Sequence, residues 1–332
     1  MSWLTYAARH TAFAFVAGLL VVSLTFVVVT YAPNTDLSAL IIGMDPESPE
    51  AQRLIREYRE AHGTTGTMLE QYVRYMVDVV TFDWGYSYEF NRPVAGILAD
   101  TLPRTLGYIV PAVVIAYASG VLAGLASAYG GRGTDASLRL GAYVGLGVPS
   151  IVPGLTVAYA LMPHFAWIAD PIWGSHPFLF FGQPSFRGTE PWRTVSPKYL
   201  VPAAVLAVGL VAGLFRHTRN NALAYKASPT SKMLTAKGAT RTLNARHALR
   251  NAALPLLSVS FAELMSVLAL GSFVVETIFH IPGVAAYLQV AVYTRDFRLI
   301  VGAATVYALI GITGSLLQDL VYGLLDPRIG ED

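Results

Sequence analysis

The sequence predicts an all-α membrane protein with six transmembrane helices and an external domain after the first helix. Of its 332 residues, 54% are hydrophobic and only 13% are charged, whereas soluble domains carry about 25% charged residues. The apolar residues are gathered in six runs, most of them close to the 20 or so residues that cross a bilayer core. These runs are residues 4–31, 105–129, 138–162, 199–215, 256–273 and 299–325.

The first run predicts an uncleaved transmembrane helix in a segment of residues 1–32. A signal peptide is the competing interpretation, but its apolar region is about 7–15 residues long and ends at small residues. This run is longer and ends at Tyr31-Ala32-Pro33. We therefore expect the segment to stay in the membrane.

Residues 33–104 form a polar segment that we expect to be an external, solvated domain. Between residues 34 and 104 there are eleven acidic and six basic side chains. Residues 48–61 and 69–81 have the pattern of amphipathic helices, the first with an i,i+4 pair of Arg53 and Glu57.

A second polar segment, residues 216–255, has the opposite charge and is called the basic loop below. Such loops stay on the cytoplasmic side of the membrane. With six spans, both termini are then cytoplasmic and residues 33–104 lie outside. The basic loop has eight basic residues and no acidic one: Arg216, Arg219, Lys226, Lys232, Lys237, Arg241, Arg246 and Arg250.

The basic loop also contains signals for two helices. Ser228-Pro229 is a helix start, with a capping serine followed by proline at the first helical position. Gly238 is a stop, since glycine tolerates the left-handed conformation after a helix. Thr240 caps a second helix, which we expect to end at Leu254-Pro255. This organisation favours a docking surface for a cytoplasmic partner.

Five residues within the apolar runs are candidates for helix packing or for lining a pathway. Gly120 and Gly124 form a G-x-x-x-G pair, which permits close helix approach. Pro149 and Pro153 interrupt the third run, either as a simple kink or as a flexible wall of a pathway. Glu263 lies in the fifth run, where an ionisable side chain faces protein or water, either at a helix interface or along a pathway.

Residues 163–198 are external by the alternation of sides and are rich in aromatic side chains. Aromatic residues beside a membrane helix form an interfacial belt. A stacking platform for a carbohydrate or peptide is the alternative. The aromatic residues include Trp167, Trp173, Trp192, Phe178, Phe180 and Phe181.

Several catalytic and binding motifs are absent from the sequence. It has no G-x-x-x-x-G-K-[ST] phosphate loop, no H-E-x-x-H metal motif and no G-x-S-x-G nucleophile elbow. It has no cysteine, hence no disulfide and no thiolate metal site. We expect no catalytic, cofactor or metal site in this chain, and no nucleic-acid partner, because membrane topology explains the basic loop.

The basic loop resembles the coupling loop of ABC importer membrane subunits, in particular those of the dipeptide/oligopeptide permease family. The resemblance rests on Thr235-Ala236-Lys237-Gly238 followed by the sequence RHALRNAALP at residues 246–255. It extends to further stretches over nearly the whole chain and is strongest in residues 226–328. The other stretches are residues 83–87, 92–94, 147–151, 276–284, 293–297 and 319–328.

The sequence departs from the broader importer pattern at one place in the basic loop. That pattern has Glu-Ala-Ala before the glycine, where this chain has Lys232, Met233 and Leu234. A basic residue therefore stands where an acidic one is usual.

The resemblance implies the type I ABC importer fold, with residues 105–328 as a five-helix permease core that contains the basic loop. The chain would form half of a pathway for peptides or similar small solutes in the cell membrane. The implied partners are a homologous second permease subunit, an external substrate-binding protein and two ATPase subunits, which hold the ATP and magnesium. The implied ATPase-coupling residues are Thr235, Ala236, Lys237 and Gly238.

Three alternatives remain open at this point. The same machinery also serves oligosaccharide or nickel-chelate uptake in related proteins. An ion-coupled secondary transporter would show inverted repeats or helices broken at the midplane, for which Pro149 and Pro153 are the only hint. An intramembrane enzyme would need a nucleophile–base or metal constellation, which the sequence lacks.

Overall fold

A computed structural model describes residues 3–31, 41–61, 66–87, 89–149, 151–157 and 199–325. These residues are helical apart from connecting turns and one short antiparallel hairpin, β1 (Tyr86–Ser87) and β2 (Arg92–Pro93). The predicted aromatic belt at 163–198 and the end of the motif at 319–328 lie outside the described residues.

The helices follow one another along the chain and are numbered here in that order. A short π-helix also spans Val267–Gly271. The helices are α1 (Trp3–Tyr31), α2 (Pro49–Ala61), α3 (Met68–Thr81), α4 (Val94–Tyr129), α5 (Arg132–Gly147), α6 (Ile151–Leu155), α7 (Leu200–Ala227), α8 (Pro229–Ala236), α9 (Arg241–Ser266), α10 (Ser272–Phe279), α11 (Val284–Thr294) and α12 (Phe297–Leu325).

Four of the described helices are long and apolar enough to cross a membrane: α1, α4, α7 and α12. The pair α10 and α11 is bent by 89° and makes a fifth candidate if the two are one broken span. The all-α membrane fold is therefore confirmed, whereas the count of six spans stays a prediction.

The chain divides into two compact units, each assembled from separated segments. One contains the described residues of Met1–Ala7, Thr101–Tyr287 and Gly314–Asp332, and the other those of Ala8–Asp100 and Leu288–Thr313. The predicted segments 1–32, 33–104 and 105–328 run consecutively along the sequence. The compact units instead combine separated segments, and the larger one takes segments from both halves of the sequence.

Close packing of α4 on α7 occurs in the larger unit, at the predicted G-x-x-x-G pair. A Cβ on Gly120 would lie 2.8 Å from Cβ of Leu214, and one on Gly124 would lie 2.7 Å from Cβ of Thr218. Any larger residue would force the two backbones apart. The prediction of close helix approach is confirmed.

The predicted helices of the polar segment are confirmed as α2 and α3, in the smaller unit. In α2, Arg53 Nε donates to Glu57 Oε1 at 2.8 Å, an exposed pair of the kind that adds little stability. At the start of α3, Thr67 and Glu70 form a reciprocal capping box. A local sequence signal thus sets the start of α3.

The beginning of α4 differs from the prediction, which placed the second run at residues 105–129. The helix already starts at Val94, and Val94, Ile97 and Leu98 are buried. A Cβ on Gly302 of α12 would lie 2.6 Å from Val94 Cγ1, so this first turn packs closely on α12. Asp100 and Arg104 are charged and lower the average hydropathy of this segment. Its apolar face was therefore not recognised from the sequence.

The predicted end of a helix at Leu254-Pro255 is wrong, because α9 continues through Pro255 to Ser266. Proline inside a helix costs about 3 kcal/mol or more. On either side of it, Ala252 and Leu256 are buried in a cluster with Leu214, and this packing offsets the lost hydrogen bond.

The predicted interruption of the third run is confirmed. Helix α5 ends at Gly147, Pro149 lies in the break, and Pro153 lies within the short α6. Helix α5 begins at Arg132, with Gly131 as its cap residue.

Candidate functional site

The basic loop is built from three consecutive helices. Helix α7 continues to Ala227, so Arg216, Arg219 and Lys226 belong to it rather than to a loop. The short α8 follows, and α9 begins at Arg241. The non-helical connections are therefore only a few residues long, which limits how far α8 can move independently.

The start of α8 has the predicted geometry. Ser228 is the cap residue, its side chain accepts a hydrogen bond from Ser231 N at 3.3 Å, and Pro229 follows at the start of the helix. Proline has the φ angle that this position requires. Its missing N–H group costs no hydrogen bond there, because the first N–H groups of a helix have no partner within the helix. Both predicted signals are confirmed.

The end of α8 also has the predicted geometry. Gly238 adopts a φ of +84°, in the left-handed region. Its N–H donates to the carbonyl oxygen of Thr235, and Ala239 N donates to that of Leu234. These bonds satisfy carbonyl groups that the end of a helix leaves unpaired.

A side-chain contact ties α8 to the start of α9. Asn244 Nδ2 donates to Thr235 Oγ1 at 3.2 Å, and Thr240 Oγ1 accepts from Leu243 N at 3.2 Å as the predicted cap of α9. Asn244 is buried. Thr235 thus positions α8. Asn244 is a functional candidate that was not predicted from the sequence, although it lies one turn after the capping residue Thr240.

The remaining predicted coupling residues are exposed. Ala236, Lys237 and Gly238 all face solvent, as do Lys232 and Met233. This surface combines two ammonium groups with one flexible apolar side chain. It is suited to contact an acidic or mixed protein surface rather than a lipid tail.

An ion-pair cluster joins α4, α5 and α7 near the basic loop. Arg219 binds Asp135 in a bidentate manner, through Nε to Oδ1 at 2.8 Å and Nη2 to Oδ2 at 3.1 Å. Ser127 donates to the same carboxylate. The hydrogen bonds from Arg219 and then Ser127 lower the pKa of Asp135 to about 2. Arg139 Nε also lies 3.3 Å from Oδ2 of Asp135, so this carboxylate is shared between two guanidinium groups.

Glu263 packs against α7. A Cβ on Gly213 would collide with Oε1 of Glu263 and would lie 2.9 Å from its Cδ. The other oxygen, Oε2, is buried without a hydrogen-bond partner among the described residues. The carboxylate faces protein, as predicted. A pathway role for Glu263, Pro149 and Pro153 stays a prediction.

A second buried carboxylate, Glu276, was not singled out from the sequence. It is only 1% exposed. Its Oε1 accepts from Thr105 Oγ1 at 2.6 Å and Tyr108 OH at 2.9 Å, and its Oε2 accepts from Ala286 N at 2.8 Å. These bonds hold the bend between α10 and α11 against α4. The signal was an acidic residue in an apolar stretch shortly before Pro282.

Among the described residues, no group of three or more histidine, aspartate or glutamate side chains is arranged to hold a metal ion. The polar groups described above contribute to helix caps, to helix–helix contacts and to one exposed basic surface.

These features define a polytopic α-helical membrane protein with a structured, basic helix between two of its long helices. Residues 120–331 match the family of binding-protein-dependent transport system inner membrane components. The chain belongs to this family.

Similar proteins include two from Bacillus subtilis (strain 168). The dipeptide transport system permease protein DppB is 30% identical, over 94% of this chain and 93% of that protein. The oligopeptide transport system permease protein AppB is 27% identical, over 98% of both chains. A probable peptide ABC transporter permease protein, y4tP of Sinorhizobium fredii, is 28% identical over 92% of both.

Proposed function

We propose that this chain is one of two membrane subunits of an ATP-driven importer and forms half of a pathway for peptides or similar small solutes. A second, homologous permease subunit, two ATPase subunits and an external binding protein complete the proposed assembly. The names of the relatives support peptides as the solute class. ATP and magnesium belong to the ATPase subunits in this proposal.

The observation that carries the proposal is the exposed helix α8, capped at both ends. Its first residue follows Ser228 at the end of α7, and the Asn244–Thr235 hydrogen bond joins it to α9. A displacement of α8 by a bound ATPase would therefore move two membrane helices together. This is the mechanical connection that a coupling helix needs.

The proposed cycle is a shift between two states of the membrane subunits. ATP binding would close the ATPase pair, carry α8 with it and favour an outward-open pathway that accepts solute from the binding protein. ATP hydrolysis would reverse the change. An effector shifts such an equilibrium only by its differential affinity for the two states, and α8 is where that difference would be applied.

The test is reconstitution of the complete assembly in proteoliposomes. We expect uptake of a labelled peptide that requires ATP inside, the binding protein outside and all four membrane and ATPase subunits. The solutes that remain bound to the isolated binding protein, identified by mass spectrometry, give the solute class. Uptake driven by an ion gradient without ATP would overturn the proposal, and a bound oligosaccharide or nickel chelate would overturn the peptide assignment.

A further inference from the structure

A cavity of about 500 Å³ lies beside α8 and is not accounted for by the proposed coupling role. It is formed where the ends of α4 and α7 meet α8 and the first turn of α9, with Tyr129, Lys226, Lys232 and Arg241 among the lining residues. Small-molecule sites have volumes of about 300–1,000 Å³. The cavity is large enough for a phosphate group with its neighbouring atoms.

Three cationic side chains from three different helices line this cavity, and none of the lining residues is acidic. Lys226 Nζ donates to the carbonyl oxygen of Ala128 at 3.0 Å and lies 5.4 Å above the Tyr129 ring. These partners orient the ammonium group but leave its charge uncompensated. Lys232 and Arg241 form no ion pair with any residue that the structure describes.

The polar lining of the cavity also includes a hydrogen-bond acceptor that lacks a donor among the described residues. Asn244, only 5% exposed, donates through Nδ2 to Thr235. Its Oδ1 is buried and has no partner within the described part of the chain. An occupant with an acidic oxygen and a hydroxyl group would satisfy both the cations and this acceptor.

We propose that this cavity is a binding site for a phosphate-bearing anion. Phosphate chemistry fits because guanidinium and ammonium groups bind its oxygens through strong, charge-assisted hydrogen bonds, and the first turn of α9 adds the positive end of a helix dipole. Two sources share this chemistry: the headgroup of an anionic phospholipid and free inorganic phosphate.

Occupation of the site would brace α8. The occupant would contact Lys226 of α7, Lys232 of α8 and Arg241 of α9 at once, so the three helices would move as one body. Without it, mutual repulsion of the three cations would loosen α8. The site overlaps the proposed ATPase contact at Lys232 and Thr235, whereas Lys226, Arg241 and Asn244 belong to the neighbouring helices.

The test uses the absence of cysteine from the chain. A single cysteine at Ala239, which lines the cavity, is placed in the full-length protein in phosphatidylcholine nanodiscs, and its rate of alkylation is measured. With an anion at ten times its Kd, the open fraction, and hence the rate, should fall about tenfold. A cysteine at the exposed Thr242, outside the cavity lining, is the control and should be unaffected.

The arms of the experiment separate the two sources. Protection by phosphatidylglycerol in the nanodisc, without inorganic phosphate, assigns the site to a lipid headgroup. Protection by inorganic phosphate in phosphatidylcholine assigns it to the free anion. No protection by either, or protection that appears only when the ATPase subunits are added, overturns the proposal. None of these outcomes depends on transport, so the proposed function is tested separately.

Charge variants complete the test. Lys232→Gln with Arg241→Gln should abolish protection, whereas Lys232→Arg should preserve it because the charge remains. Arg250→Gln removes an exposed cation of the same basic loop that does not line the cavity, and it should leave protection unchanged. Equal protection in the double variant, or equal loss with Arg250→Gln, contradicts a specific site.

Discussion

Gly238 ends α8 for a conformational reason. Its φ of +84° is strained for residues with a side chain, yet no described atom lies within 4 Å of the place where a Cβ would be. Space is therefore available, and only the backbone conformation demands glycine. A substitution here changes the direction of the chain between α8 and α9 without disturbing any packing.

We expect Gly238→Val to uncouple ATP hydrolysis from uptake while membrane insertion stays normal. The left-handed conformation costs an ordinary residue about 1–2 kcal/mol, and more when the side chain is β-branched. The measurement compares ATPase activity with peptide uptake in proteoliposomes. Gly238→Ala is the matched control and should lose less. Normal stimulated transport by the valine variant would count against the role of this turn.

Glu263 presents a carboxylate to the backbone of α7 at Gly213. We expect Glu263→Gln to assemble and transport nearly normally, because the amide keeps the shape of the side chain while it removes the charge. Gly213→Ala should be worse, since its methyl group would collide with the same side chain. Transport is measured together with assembly and basal ATPase activity. If the glutamine variant alone loses transport, Glu263 contacts the passing solute instead.

The ionisation of Asp135 makes the stability of the protein depend on pH under acidic conditions. Its pKa is lowered from 3.8 to about 2 by the hydrogen bonds from Arg219 and Ser127. Because the folded-state pKa is the lower one, the cluster stabilises the protein above about pH 4, and this contribution is lost as the pH falls toward 2. The cluster therefore fails only under strongly acidic conditions.

Asp135→Asn should lower the melting temperature at neutral pH, and its difference from the parent protein should shrink between pH 4 and pH 2. Thermal unfolding in detergent over this pH range is the measurement. Asp100→Asn is the control: its ion pair with Arg92 has both side chains about half exposed, so the effect should be smaller. An equal loss in both variants would contradict a special role for the cluster.

At the scale of elements, the boundaries of α8 could be predicted from the sequence to within two residues, and the course of α9 could not. Ser228, Pro229 and Gly238 act through their own backbone, so their signals are local. Pro255 is also a local signal, but packing of its neighbours on α7 overrides it. The early start of α4 was missed for the same reason, because its first turn is held by α12.

The connection between α8 and α9 yields a prediction at the scale of elements. Asn244→Ala removes the hydrogen bond to Thr235, worth about 0.5–1.5 kcal/mol, and should reduce peptide uptake per ATP hydrolysed. Asn251→Ala is the matched control, since Asn251 is exposed and, among the described residues, donates to the carbonyl oxygen of His247 in its own helix. Uptake and ATPase rates are measured in the same proteoliposomes. Equal coupling ratios in the two variants would show that this bond transmits nothing.

At the scale of the whole molecule, the contacts of the buried Glu276 could not be predicted from the order of residues along the chain. Its hydroxyl partners, Thr105 and Tyr108, precede it by about half the chain. The sequence places Glu276 just after the fifth apolar run and six residues before Pro282. Only the fold shows that α4 supplies the donors that make a buried carboxylate tolerable at this bend.

The predicted orientation of the chain in the membrane rests on its charge asymmetry, and the structure selects the positions that test it. The polar segment 34–104 is acidic and the basic loop is basic, so we expect them on opposite sides of the membrane. Ser231 is a poor reporter for the basic loop because it is only 3% exposed and would resist labelling on either side. Thr230 and Glu50 are both exposed and suit the test.

Single cysteines at Glu50 and Thr230 should therefore behave differently toward an impermeant thiol reagent on intact cells. The reagent should label the cysteine at position 50 and spare the one at position 230, because the membrane shields the cytoplasmic side. Both should be labelled after permeabilisation, which controls for accessibility. The reverse pattern in intact cells would invert the topology and place α8 where no ATPase can reach it.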